Sequence, residues 1–199
     1  MTEPPSLRDH LISAGMALLE EGGMPALTLR RAAARAGVSH AAPAHHFDGL
    51  PGLLTAIAAR AFHLFAEALH QGREAAGPDP FQRMLGMTQG YLTFAQDHEG
   101  LFHVMFLSPE VNRADPELQP DAARAYGILR DCCLPFAPPD STKDTTLETA
   151  VWSLVHGYAT LGFGRVNRRR QAEPAPFAAV LGELLAARRN PLAPRPEAR

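Results

Sequence analysis

The chain has 199 residues, 46% of them hydrophobic and 20% charged, with a formal net charge of −2. It is long enough to bury a core and suits a small domain joined to a larger helical one. There is no uninterrupted run of about 18 apolar residues, so no membrane span is expected, and MTEPPSLRDH lacks the apolar region of a secretory signal, so a cytoplasmic protein is expected.

Leu7, Leu11, Ala14 and Leu18 recur at spacings of four and three, with Ile12 and Leu19 widening the stripe. This predicts a first helix ended by Gly22-Gly23. Thr28 is a good N-cap for a second helix, whose Leu29, Ala32, Ala33 and Ala36 form a small apolar face that another helix can approach closely. Gly37 suits the left-handed residue that ends it, Val38 plugs the turn, and Ser39 can cap a third helix starting at His40. Two short helices joined by Gly37-Val38-Ser39 have the layout of a helix-turn-helix, whose second helix enters the DNA major groove in DNA-binding versions.

A longer helix is expected from about Leu50 to Gln71 on Leu53, Leu54, Ile57, Ala61, Leu64, Phe65 and Leu69, with a connection over Gly72 to Pro80. Phe81 to Asp97 and Leu101 to Leu107 read as two more helices. Another starts at Asp115-Pro116 or at Pro120 and runs to about Cys133, stopped by Pro135, Pro138 and Pro139. The adjacent Cys132 and Cys133 place their Cα atoms about 3.8 Å apart, short of the usual disulfide range, so reduced thiols are expected. Asp144 to Arg165 and Phe177 to Arg188 complete the helices, and the tail NPLAPRPEAR reads as disordered.

Two stretches carry a family resemblance. GVSHAAPAHHF, followed by DGLPGLL and a long apolar-faced helix, resembles the N-terminal domain of the tetracycline-repressor (TetR) family of transcription regulators over Leu7 to Leu69. Trp152-Ser153-Leu154-Val155-His156-Gly157 resembles the Trp-His-Gly signature of a ligand-sensing C-terminal domain found in that family. The fold class expected is all-α. A three-helix helix-turn-helix domain over 1–50 joins a ligand-binding and dimerisation domain over 51–188, with a tail over 189–199.

The resemblance implies a ligand-responsive regulator, most simply a repressor released from a palindromic operator on double-stranded DNA by a small, largely apolar effector. The DNA-reading candidates are Thr28 and Ser39 at helix N-termini, where backbone N–H groups meet phosphates, and the donors Arg30, Arg31, His45 and His46. His40, Ala41 and Ala42 are placed to meet base edges. Met84, Met87, Tyr91, Phe94, Phe102, Met105, Phe106, Tyr126, Leu129 and Trp152 suit an adaptable apolar pocket, with His156 and Tyr91 orienting the ligand. Leu147, Val151, Leu154, Tyr158 and Leu161 form a heptad-like seam that, with Phe177, Leu181 and Leu184, is expected to face a second copy in a homodimer.

The family usually has Tyr where this chain has Ala44 and Lys where it has Leu50. Residues 1 to 50 hold Arg8, Arg30, Arg31 and Arg35 against five carboxylates, so a weakly charged reading head is expected to bind DNA modestly. This leaves a second reading, a helical ligand-binding or interaction protein with weak or lost DNA binding. His45-His46, His98 and His103 lack the spacing of a metal hydrolase, and neither a glycine-rich phosphate loop nor a nucleophile elbow is found. No enzyme activity, metal or cofactor is expected.

Overall fold

A computed structural model of the chain describes residues 4–137, 144–162 and 174–189. These residues form eight α-helices and no strand: α1 Leu7–Gly22, α2 Leu29–Arg35, α3 Gly49–Ala75, α4 Pro80–Asp97, α5 Glu99–Leu107, α6 Gln119–Cys133, α7 Thr146–Thr160 and α8 Phe177–Arg189. The all-α expectation holds. Residues 163–165 of the expected seventh helix and the tail beyond residue 189 lie outside the described residues.

The helix ends follow from local chemistry. Ser6 opens α1 with a reciprocal cap: its Oγ accepts from the Asp9 N–H at 3.2 Å, and the Asp9 carboxylate accepts from the Ser6 N–H at 3.1 Å. Thr28 caps α2 as expected, its Oγ1 accepting from the Arg31 N–H at 3.2 Å. At the other end of α2, Gly37 takes φ +72°, its N–H reaches the Ala34 carbonyl, and the Val38 N–H reaches the Ala33 carbonyl. That paired return satisfies two carbonyls the helix would otherwise orphan.

The long helix α3 is the spine of the molecule. Its first half packs against α1 and α2, and its length lies against α4, α5 and α6. Leu53, Leu54, Ile57, Ala61, Phe62, Phe65, Ala66 and Leu69 are all buried along it. Its 27 residues span about 40 Å at 1.5 Å per residue. By length and composition α3 is apolar enough to cross a membrane, but 67% of its most apolar stretch is buried by the surrounding helices.

The helix runs four residues past Gln71 because Gly72 serves close packing here. A Cβ on Gly72 would sit 2.2 Å from the Gly86 carbonyl oxygen, and one on Gly90 would sit 2.3 Å from that of Ala68. Glycine therefore brings the α3 and α4 backbones together.

Between α5 and α6 the chain makes a loop from Ser108 to Leu118. The Asp115 carboxylate accepts from the Glu117 N–H at 2.9 Å, and the Asp115 carbonyl accepts from the N–H groups of Leu118 and Gln119. Of the two starts open from sequence, α6 takes the one beside Pro120. Cys132 and Cys133 are buried and not joined in a disulfide, and burial pushes the Cys132 thiol up to about 11.

Candidate DNA-reading face and ligand cavity

The candidate DNA-reading face departs from expectation where the third helix should stand. Ser39 to Ala41 form a turn, and only Ala42–His45 are helical, as a single 3-10 turn. Pro43 is the reason. It has no N–H to donate to the Ser39 carbonyl four residues back, and its ring disfavours α conformation at Ala42. The Ser39 carbonyl accepts instead from the Ala42 N–H at 3.0 Å, and no hydroxyl cap forms.

Arg30, Arg31, Ser39, His40, Ala41, His45 and His46 are exposed on this face together with the α2 N-cap Thr28, whereas Ala42 is half-buried and Pro43 buried. Two of the four arginines in this segment are already engaged. Arg35 forms a bidentate pair with Glu21, both contacts at 2.6 Å, and that hydrogen bonding holds the Glu21 carboxyl below its ordinary range. Arg8 pairs with Glu117 at 2.7 Å. Among the described residues, Arg30 and Arg31 form no direct ion pair, although the Arg31 charge also helps to lower the Glu21 carboxyl.

Beside the spine helix lies a cavity of about 160 Å³. Of the residues expected to line it, Met87, Tyr91, Phe106, Tyr126, Leu129 and Trp152 do so. Met84, Phe94, Phe102 and Met105 do not, a correction to the pocket read from sequence. They are core: Met84 and Met105 are fully buried, Phe94 packs edge-on to Phe65 at 5.2 Å, and Phe102 sits 5.9 Å from the Tyr91 ring. Their side chains leave α4 and α5 toward neighbouring helices, which apolar spacing alone does not distinguish from a lining position.

His156 stands behind the cavity wall, its Nδ1 2.7 Å from the Tyr91 hydroxyl and its ring stacked 5.4 Å from Phe102. Burial lowers the His156 pKa and raises that of Tyr91, so both rings are held neutral. With His156 protonated at Nε2, the Tyr91 O–H donates to Nδ1. In the other tautomer Nδ1–H donates to the phenol oxygen and the phenol proton is free for a guest.

The seam expected at a second subunit divides in two. Leu147, Val151, Phe177 and Leu181 are at most 7% exposed within the single chain, so they belong to its own core, a correction to the interface read from sequence. A four-three spacing is equally the inner stripe of a helix packed in its own subunit. Leu154 and Leu184 instead border an open apolar groove with Ala150, Ser153 and Val180. Leu161 is 59% exposed, and half-buried Tyr158 donates to the Ala175 carbonyl at 3.1 Å.

Two family models match this architecture. One, described as bacterial regulatory proteins of the tetR family, matches residues 11–57, and the other, a tetracyclin repressor-like C-terminal domain, matches residues 84–183, half of the chain by itself. The chain belongs to the TetR family. Its two matched domains are those of the family's transcription regulators.

A relative, the HTH-type transcriptional regulator BetI of Stenotrophomonas maltophilia, is 29% identical over 114 residues, 57% of this chain and 58% of that protein. The aligned stretch thus spans less than two thirds of that relative. A Rhodococcus sp. RHA1 structure of a protein with unknown function superposes with a TM-score of 0.71 at 26% identity, over 97% of this chain and 100% of that one. The TetR-like regulator LfrR of Mycobacterium smegmatis, solved in complex with proflavine, gives a TM-score of 0.57 at 18% identity, over 96% and 99%. That last likeness is one of fold.

For this TetR regulator, the cavity contains residues that sequence reasoning missed: Phe62, Phe65 and Leu69 of α3, Ala122 and Ala125 of α6, Val155 of α7, and Arg113 of the loop. The α3 residues carried a signal, an apolar stripe at helical spacing. Arg113 carried none.

Proposed function

We propose that this regulator is a homodimeric repressor whose two reading faces grip the half-sites of a near-palindromic operator, and that an apolar effector in the cavity releases it. The observation that carries this reading is the double role of α3. Near its start it supports the reading head, Leu53 and Leu54 being fully buried there, and farther along Phe62, Phe65 and Leu69 form one wall of the cavity. A guest that moves this wall also moves the base of the reading face, and in a dimer it changes the separation of two such faces, about 34–36 Å for half-sites one DNA turn apart.

The open groove at Leu154 and Leu184 is the surface proposed for the second copy. Its test uses duplex DNA enriched from a random-sequence pool on the full chain. The enriched site is expected to be a palindrome bound by a dimer. Leu184→Glu is expected to yield monomers by sedimentation that no longer shift that duplex. A monomeric wild type binding a single half-site with full affinity rejects the reading.

One observation favours the second reading, a helical ligand-binding or interaction protein with weak or lost DNA binding. Arg8 and Arg35 are consumed by ion pairs, leaving Arg30 and Arg31 without a direct ion pair among the described residues, and Ala44 and Leu50 supply no phosphate donor from their side chains. Few phosphate contacts mean a shallow dependence of affinity on salt, about 0.9 in log–log slope for each phosphate neutralised. The salt slope measured on the enriched duplex separates the two.

A further inference from the structure

We propose that the effector is a small apolar carboxylate, of the size of a one-ring aromatic acid, bound with its carboxylate on Arg113. This rests on the cavity being the effector site. Among its described lining residues Arg113 is the sole charged side chain, set against the rings of Phe62, Phe106, Tyr126 and Trp152. Arg8, Arg35, Arg60, Arg73, Arg83 and Arg124 all have carboxylate partners, and Arg113 has none among the described residues.

Arg113 is oriented all the same. One Nη donates to the Met105 carbonyl at 2.8 Å and the other to the Phe106 carbonyl at 3.2 Å, at the end of α5. Two of its five N–H groups are used there, so three donors and a full charge remain for an anion. Size comes from the volume: a dry cavity of about 150 Å³ accepts benzene, and the apolar space here is about 160 Å³. An apolar body of one ring fills it, and the anionic group stays at the arginine, which is itself open to solvent.

The position of Arg113 ties this contact to the reading head. Its neighbour Asn112 donates its N–H to the Thr55 hydroxyl of α3 at 3.0 Å, and Glu117 of the same loop holds Arg8 of α1. The Arg8 guanidinium lies 5.7 Å from the Phe47 ring centroid, beside the reading turn. An anion that draws Arg113 toward the cavity therefore pulls on a loop fastened at two points to the DNA-binding end.

The test uses sodium benzoate and its neutral counterpart benzamide, each titrated into the full chain at neutral pH. Fluorescence of Trp152, the single tryptophan and a lining residue, reports binding. Benzoate is expected to bind at least about tenfold more tightly than benzamide, the worth of one charge-assisted pair of hydrogen bonds. Arg113→Gln is expected to abolish that preference, benzoate losing much more affinity than benzamide, and Arg113→Lys to keep part of it. A purely structural role in capping α5 would weaken both ligands alike.

Benzamide binding as tightly as benzoate, or a preference that survives in Arg113→Gln, overturns the inference and leaves the cavity as effector site intact. Binding of neither overturns both. The wild-type comparison decides by itself if the variant does not fold.

Discussion

The close approach of α3 and α4 makes a quantitative prediction at Gly90. Gly90→Ala places a methyl group 2.3 Å from the Ala68 carbonyl oxygen and 2.9 Å from its carbon, where ordinary contact begins at 3.4 Å. The helices must part by about 1 Å, and the obstacle is backbone, which cannot rotate aside as a side chain would. Overpacking of this kind costs about 1–3 kcal/mol, here at the upper end. Replacing a mid-helix glycine returns about 1 kcal/mol, so the net loss is about 2 kcal/mol. For a chain of this size that is a fall in Tm of about 4–8 °C, read by circular dichroism at fixed protein concentration. Gly127→Ala is the control. It lies within α6 with nothing within 4 Å of the added methyl, so only the helix gain applies and Tm should rise by about 2–4 °C. A Gly90→Ala protein as stable as wild type, with Gly127→Ala behaving as stated, would refute the view that α3 and α4 are held at glycine distance.

Two further outcomes test other parts of the fold. Thr28→Ala removes the acceptor for the Arg31 N–H and should cost about 1 kcal/mol, with Thr28→Ser restoring most of it in thermal melts. His156 has its pKa lowered by burial, so the unfolded chain takes up its proton more readily than the native one. The stability this contributes is present above the ordinary value of about 6.5 and is lost as pH falls below it. Tm should therefore drop less between about pH 7 and pH 5 in His156→Gln than in wild type. An equal drop in the two proteins removes His156 from the acid response.

The elements closed by local chemistry were legible in the sequence. Gly22-Gly23, Thr28 and Gly37 end or start helices through bonds made within a few residues of themselves, and each does in the structure what its residue type dictates. The expected reading helix is cut short for an equally local reason. Pro43 stands four residues after Ser39, where an α-helix needs its N–H, and one missing donor reduces a helix to a turn. The seam on α7 failed for a different reason. Periodicity reveals that Leu147, Val151 and Leu154 share a face, but burial at 1% and 0% for the first two comes from packing within the same chain, which spacing does not encode.

The cavity sits between these cases. Its aromatic walls are ordinary core residues whose partners stop short of filling the space, so sequence identified Tyr91, Phe106 and Trp152 together with Met84 and Phe102, which pack solidly. Arg113 was wholly out of reach. It stands in an irregular loop, and the features that distinguish it are tertiary: two carbonyls at the end of a helix that precedes it, a cavity walled by four other helices, and the lack of a carboxylate partner among the described residues. A charge gains meaning from what surrounds it. The same arginine on an open surface would be a solubilising group, whereas at the edge of an apolar space it selects the sign of the guest.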